Sequence, residues 1–244
     1  MKMTTKKMMG LLAVAAPLMV NQASAEIEGS VSAGYHSMYE FRGANQGDGL
    51  VDASIALSTE YNGITFAGNV WYASTNDDEA FVDNEADYTL TASKTFGAVT
   101  ATLGYIFYSY PEDNDSNSQE IFLALSGEIG YGIVATGSAF YDFDLYEGFY
   151  FSFDLGKSFE INEQLAFNLN AGLGLYEGYD GFDDGVNHYY IKAGFAWTPK
   201  ENLTVSPYVK FTDASSDFPS DFTTGSGEFG DENFITGVTL SVAF

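Results

Sequence analysis

Along most of this chain apolar and polar side chains alternate one for one, the period that places successive residues on opposite faces of a β-strand. The C-terminal run shows it most plainly. Phe234, Thr236, Val238, Leu240, Val242 and Phe244 share one parity, and Ile235, Gly237, Thr239, Ser241 and Ala243 share the other. A strand that is large and apolar on one face, small or polar on the other, and closes on an aromatic has the pattern of an outer-membrane barrel strand, with lipid on one side and a lumen on the other. The same alternation predicts about twelve strands of roughly ten residues, the length that crosses a bilayer when tilted. They fall at 27–38, 50–61, 64–74, 86–96, 98–109, 119–128, 131–141, 148–160, 165–176, 186–198, 203–212 and 233–244.

The connections alternate in length. Asn62-Gly63, Gly97, Gly127 to Gly130, Asn162-Glu163-Gln164 and Pro199 to Asn202 read as tight turns, with Asn-Gly the strongest hairpin signal. Between them stand long acidic loops at about 39–49, 75–85, 110–118, 142–147, 177–185 and 213–232. The expected fold is therefore all-β: a transmembrane, antiparallel, up-and-down barrel with short periplasmic turns, longer external loops and both termini periplasmic.

The N-terminal segment bears on where that barrel resides. Lys2, Lys6 and Lys7 precede an apolar run from Met8 to Val20 and then Ala23-Ser24-Ala25. This is the layout of a secretory signal peptide over 1–25, cleaved before Glu26, leaving 26–244 as the barrel. No later stretch reaches the roughly 18 uninterrupted apolar residues of a membrane helix. Removing three of the 9 Lys+Arg leaves 6 against 34 Asp+Glu, a mature net charge of 6 − 34 = −28. Such acidity offers no footprint for nucleic acid. With no cysteine there is neither a disulfide framework nor a thiol-linked lipid anchor.

Outward parity is apolar in Phe149, Phe151, Phe153 and Leu155, and in Tyr189, Ile191, Ala193, Phe195 and Trp197. Lys94 and Lys157 also fall outward, near turn ends where an amine can snorkel. Pro207 falls outward too, and predicts a bulge or a local weakness in pairing. Inward parity places Asp52, Glu60, Asp87, Glu120, Glu128 and Asp154 in the lumen, with Lys192, Lys210 and His188. Carboxylates there would concentrate cations, because low-dielectric walls focus their field. Alternatively, they pair with the lysines or with tyrosines and fill the barrel, since twelve strands lie between filled and open sizes.

After the first strand, Gly34-Tyr35, then Tyr39-Glu40-Phe41-Arg42-Gly43, Gln46 and Gly47-Asp48-Gly49 resemble the opening of the TorF family of porins, where an aromatic, a variable residue, Phe-Arg-Gly and a Gln recur. Phe66-Ala67-Gly68-Asn69-Val70-Trp71 with Ser74 and Asn76 resembles that family's second patch. The resemblance implies an outer-membrane porin, with Tyr39, Phe41, Arg42, Gly43 and Gln46 as its motif residues.

Arg42, one of few basic residues, is expected to pair with a carboxylate of an acidic loop rather than to guide a solute. Trp71 counts inward, where it could form a constriction, but a one-residue slip would put it in the interfacial aromatic belt, the preferred reading. Trp197 belongs to the belt. His36 and His188 are read as lumen-lining polar residues. Outer-membrane phospholipases carry Ser and His two residues apart on one strand; here Ser37 follows His36 directly and Tyr190 stands two beyond His188, so no such pair exists. Asp113-Asn114-Asp115-Ser116-Asn117 begins like a calcium loop, but Ser118 replaces its Gly and Ala124 its bidentate Glu. It is read as solvated loop. Asp77, Asp78, Glu79, Asp83, Asp183 and Asp184 could hold divalent ions non-specifically at the lipopolysaccharide surface. The expectation is a porin-like channel for small solutes that favours cations, without enzymatic activity or cofactor. Its partners would be outer-membrane lipid, lipopolysaccharide and the barrel-assembly machinery. A structural or surface-binding barrel without an open pore is the alternative.

Overall fold

The computed structural model describes residues 26–76, 84–112, 116–214 and 232–244. The signal-peptide segment, Asp77, Asp78, Glu79, Asp83 and the centre of the Asp113 loop lie outside them. Twelve strands run in order: β1 (Glu28–Phe41), β2 (Ala44–Tyr61), β3 (Ile64–Ser74), β4 (Asn84–Phe96), β5 (Val99–Ser109), β6 (Ser118–Gly130), β7 (Ile133–Asp142), β8 (Phe149–Asn162), β9 (Leu165–Glu177), β10 (Gly185–Lys200), β11 (Leu203–Ala214) and β12 (Glu232–Ala243). Each pairs antiparallel with its sequence neighbours, and β12 returns to β1, so the sheet is a closed barrel. The seam runs from Ser30↔Ala243 to His36↔Gly237 and is extended by reciprocal Gly29 and Phe244 backbone bonds at 2.9 Å. Closure leaves no unpaired edge, the condition for a sheet in lipid.

Two-residue turns join β2 to β3, β4 to β5, β6 to β7, β8 to β9 and β10 to β11, all at the end that also carries both termini. Asn62 and Gly63 both have positive φ, 53° and 72°, as a type I′ hairpin requires. The turn after β6 is not Gly127 to Gly130, as the glycines suggest, but Tyr131-Gly132, with φ of 56° and 71°. Gly130 instead sits where the β6–β7 register shifts, so that glycine serves a bulge. Pro207 points outward, and no bulge accompanies it. The β10–β11 ladder lapses opposite Phe195 and Ala196 and resumes at Trp197↔Val205 in the same register, which is the local weakness a missing donor causes.

The outer face is an apolar band: Leu57, Leu90, Leu103, Leu123, Phe153, Leu155, Ile191 and Leu240 are all exposed. Tyr61, Phe96, Tyr131, Trp197 and Phe244 ring its turn end. There the amines of Lys94 and Lys157 lie 5.6 and 4.9 Å from the ring centroids of Phe96 and Phe159. This is the girdle that aromatic and snorkelling side chains build at an interface.

The largest departure from the expected layout is at 39–49. This segment is not a long loop. β1 and β2 continue through it to a two-residue turn, Arg42-Gly43, with φ of 51° and 87°. A register shift between Tyr39 and Glu40, and Gly49 at φ 70°, bend the hairpin. Its tip contacts β6, β8 and β10 rather than neighbouring strands, so it is folded into the barrel.

Candidate functional site

The inward-folded tip fills the loop end of the lumen. Arg42, held by its turn, reaches across to β6 and donates from both terminal nitrogens to the two oxygens of Glu120, at 2.7 Å each. Arg42 is 9% exposed and Glu120 1%. A bidentate fork on a carboxylate fixes orientation as well as distance. The guanidinium carbon lies 4.1 Å from the Tyr150 ring centroid, 4.8 Å from Phe41 and 5.1 Å from Phe140, so the charge left unmatched meets π-faces. Tyr108 donates to Glu120 at 2.9 Å. The Arg42 carbonyl accepts from Asn187 at 2.7 Å. Gly43 lies so close to β10 that a Cβ would stand 2.6 Å from that of His188.

The hairpin arms are tied as well. Glu40 pairs with Lys210 of β11, and accepts from the Gly43 amide at 2.6 Å. Tyr39 donates at 2.6 Å to Glu85, which also accepts from Tyr110 at 3.1 Å. Above the tip, two loops form a roof. Asp142 accepts from the amides of Asp144, Leu145 and Tyr146, and from Ser118 at 2.5 Å. The ring of Tyr146 stacks on Tyr179 at 4.8 Å. Burial, opposed by Arg42 and reinforced by Glu120, holds the Tyr179 phenol above its ordinary range, so it remains a donor. A cavity of about 60 Å³ beside Glu85, Glu120 and Asp142 has room for a few waters.

Below this eyelet the interior is polar. Ser32 bonds Ser54 at 2.8 Å, Ser93 bonds Thr102 at 2.9 Å and Thr136 donates to Ser126 at 3.0 Å. Asp52 accepts from the indole of Trp71 at 2.7 Å, and His36 lies 3.4 Å from the same carboxylate and 2.8 Å from Tyr208. Asp154 accepts from Tyr190 at 2.6 Å. Lys192 lies 3.9 Å over the Tyr208 ring.

The residues singled out by parity are thus distributed unevenly. Glu120, His188 and Lys210 come together around the hairpin tip, with Arg42, Tyr39, Phe41 and Gly43. Asp52, Asp154 and Lys192 line the middle of the interior. Asp87 faces inward two residues from Glu85, and its Oδ1 has no hydrogen-bond partner among the described residues. Glu60 and Glu128 lie at the turn end and are exposed, Glu128 accepting from the Gly132 amide. Gln46 sits in the hairpin beside the small cavity. Trp71 is a correction: it belongs to the interior, packed 5.8 Å from Tyr39, and not to the aromatic belt. Its inward count holds because β3 pairs with β2 without a register shift. Asp184 accepts from the Gly178 amide within its own loop. Sequence reasoning missed Glu40, Glu85 and Asp142. Glu85 shares the inward parity of Asp87, but the expected strand began one residue too late to include it.

Neither a scan against models of protein families nor a search of curated proteins finds a match. Among solved structures the chain is similar to the NanC porin, at 11% identity over 88% of this chain and 98% of that one, with a TM-score of 0.54. The KdgM porin matches at 11% over 88% and 99%, TM-score 0.52. An outer membrane channel from Pseudomonas putida F1 matches at 10% over 92% and 97%, TM-score 0.54. At such identities the likeness is one of fold. Fold and outward apolar face together define a closed, antiparallel, twelve-stranded transmembrane β-barrel.

Proposed function

We propose that the chain is an outer-membrane channel for passive diffusion of small solutes, constricted at its loop end by the β1–β2 hairpin. The observation that carries this reading is the division of the interior. Toward the turn end the inward side chains are polar, and the segment that fills the loop end is a hairpin attached at one side rather than a barrel-wide core. The hairpin is held by side chains, not by the sheet ladder, so it can leave without opening the wall. In this reading the turn end and both termini are periplasmic, the roof loops are external, and residues 1–25 are removed on export. The Phe41-Arg42-Gly43 motif supports membership of the TorF porins, and the terminal strand supports recognition by the barrel-assembly machinery.

The channel favours cations, because Asp52 and Asp154 face an interior whose lysines, among the described residues, are Lys192 and Lys210, the latter already paired with Glu40. The other reading, a barrel without an open pore, draws on the same filled eyelet. Planar-bilayer recording separates them. Wild-type protein should give small, discrete conductance steps, and a variant with residues 40–46 replaced by Asn-Gly should give larger ones. No steps from either, with both inserted and heat-modifiable on gels, would establish the closed barrel.

A further inference from the structure

The pocket that receives Arg42 is built by the wall opposite the hairpin. Glu120 of β6 supplies the carboxylate, Tyr108 of β5 orients it from 2.9 Å, Phe140 of β7 and Tyr150 of β8 supply ring faces, and Tyr179 covers it from the roof. Of the rings around the guanidinium only Phe41 comes from the hairpin. When the tip leaves, carboxylate and cage therefore stay in place. A buried carboxylate with planar acceptors, walled by aromatic faces, is specific for a flat, delocalised cation.

Arg42 also occupies the turn at a conformational cost. It holds φ 51° at the first central position of a type I′ turn, where Asn, Asp or Gly are the usual residues. The backbone does not call for arginine there; the pocket does.

We propose that this pocket is a binding site for solutes bearing a guanidinium group, and that Arg42 is a tethered occupant which such solutes displace. The proposal deepens the channel reading and rests on it for its physiological sense. The tether sets the competition. A group held on a short connection acts at an effective concentration of order millimolar or above, so a free solute meets a site that is mostly occupied. Arginine at the turn then serves both as the constriction and as a filter. Cations that match the pocket loosen the hairpin, whereas neutral solutes of the same shape do not.

The test uses the mature barrel in detergent, where binding is read without conduction. Ethylguanidinium chloride is titrated calorimetrically into wild type, Arg42→Ala and Arg42→Met, with ethylurea as the neutral control. We expect saturable millimolar binding to both variants, at least about tenfold weaker binding to wild type, and none of ethylurea. Adding Glu120→Gln to Arg42→Met should abolish the binding. Absence of saturable binding to folded Arg42→Ala and Arg42→Met, or binding that survives Glu120→Gln, would overturn the proposal. If neither variant folds alone, refolding is repeated with ethylguanidinium present. Recovery of the heat-modifiable band supports the site, and failure to recover it overturns the site. A silent bilayer with intact binding would instead remove the channel reading and leave the site standing.

Discussion

At the scale of single residues the Arg42–Glu120 pair dominates the eyelet. Both groups are almost fully out of solvent, so each relies on the other for the interactions water would give. Removing one partner strands a buried charge, at a cost of about 3–5 kcal/mol, while replacing both can be close to neutral. Glu120→Gln should therefore lower the urea-unfolding midpoint in lipid vesicles, followed by tryptophan fluorescence. Arg42→Met with Glu120→Gln should recover part of the loss. If the double variant is no more stable than Glu120→Gln alone, the pair does not set the stability of this end. The ion pair was legible in outline, because a lone arginine among acids must find a carboxylate. Its partner was not, since Glu120 lies 78 residues away and only barrel closure brings β6 opposite the β1–β2 turn.

At the scale of elements, the alternation located the twelve strands because each has one face in lipid, where apolar residues are required at every second position. The rule lapses where a strand leaves the lipid. Residues 39–49 read as loop because Glu40, Asn45, Gln46, Gly47, Asp48 and Gly49 carry no lipid-facing stripe, yet the ladder Met38↔Asp48 to Phe41↔Ala44 is intact apart from its bulge. The tip depends on Gly43, whose φ of 87° and contact with His188 leave no place for a side chain. Gly43→Ala should displace the tip, costing about 1–3 kcal/mol in backbone strain, without disturbing the wall. The expected readout is larger bilayer conductance with unchanged heat-modifiability. Conductance at the wild-type level would mean that the hairpin does not constrict the passage.

At the scale of the whole molecule, two properties belong to the closed barrel rather than to any strand. The first is closure. Phe244 exchanges two backbone bonds with Gly29, and its ring lies where a side chain at Gly29 would be. Deleting Phe244 should therefore reduce membrane yield more than deleting one residue from the loop between β7 and β8. Equal yields would show that the seam does not need its last residue. The second property is the field of the interior, which sums over strands far apart in sequence. Asp52 and Asp154 come from β2 and β8, and neither segment alone reveals their common effect. Substituting both by Asn should move the reversal potential in a salt gradient toward zero while the barrel stays heat-modifiable. The shift should be largest at low salt, because the Debye length of about 8 Å at physiological ionic strength shrinks to about 3 Å at 1 M. Neutralising Asp183 and Asp184 on the roof should have a smaller effect that disappears sooner as salt rises, since those side chains face open solvent. An anion-selective wild-type pore would mean that Lys192 and Lys210, rather than the carboxylates, control the passage.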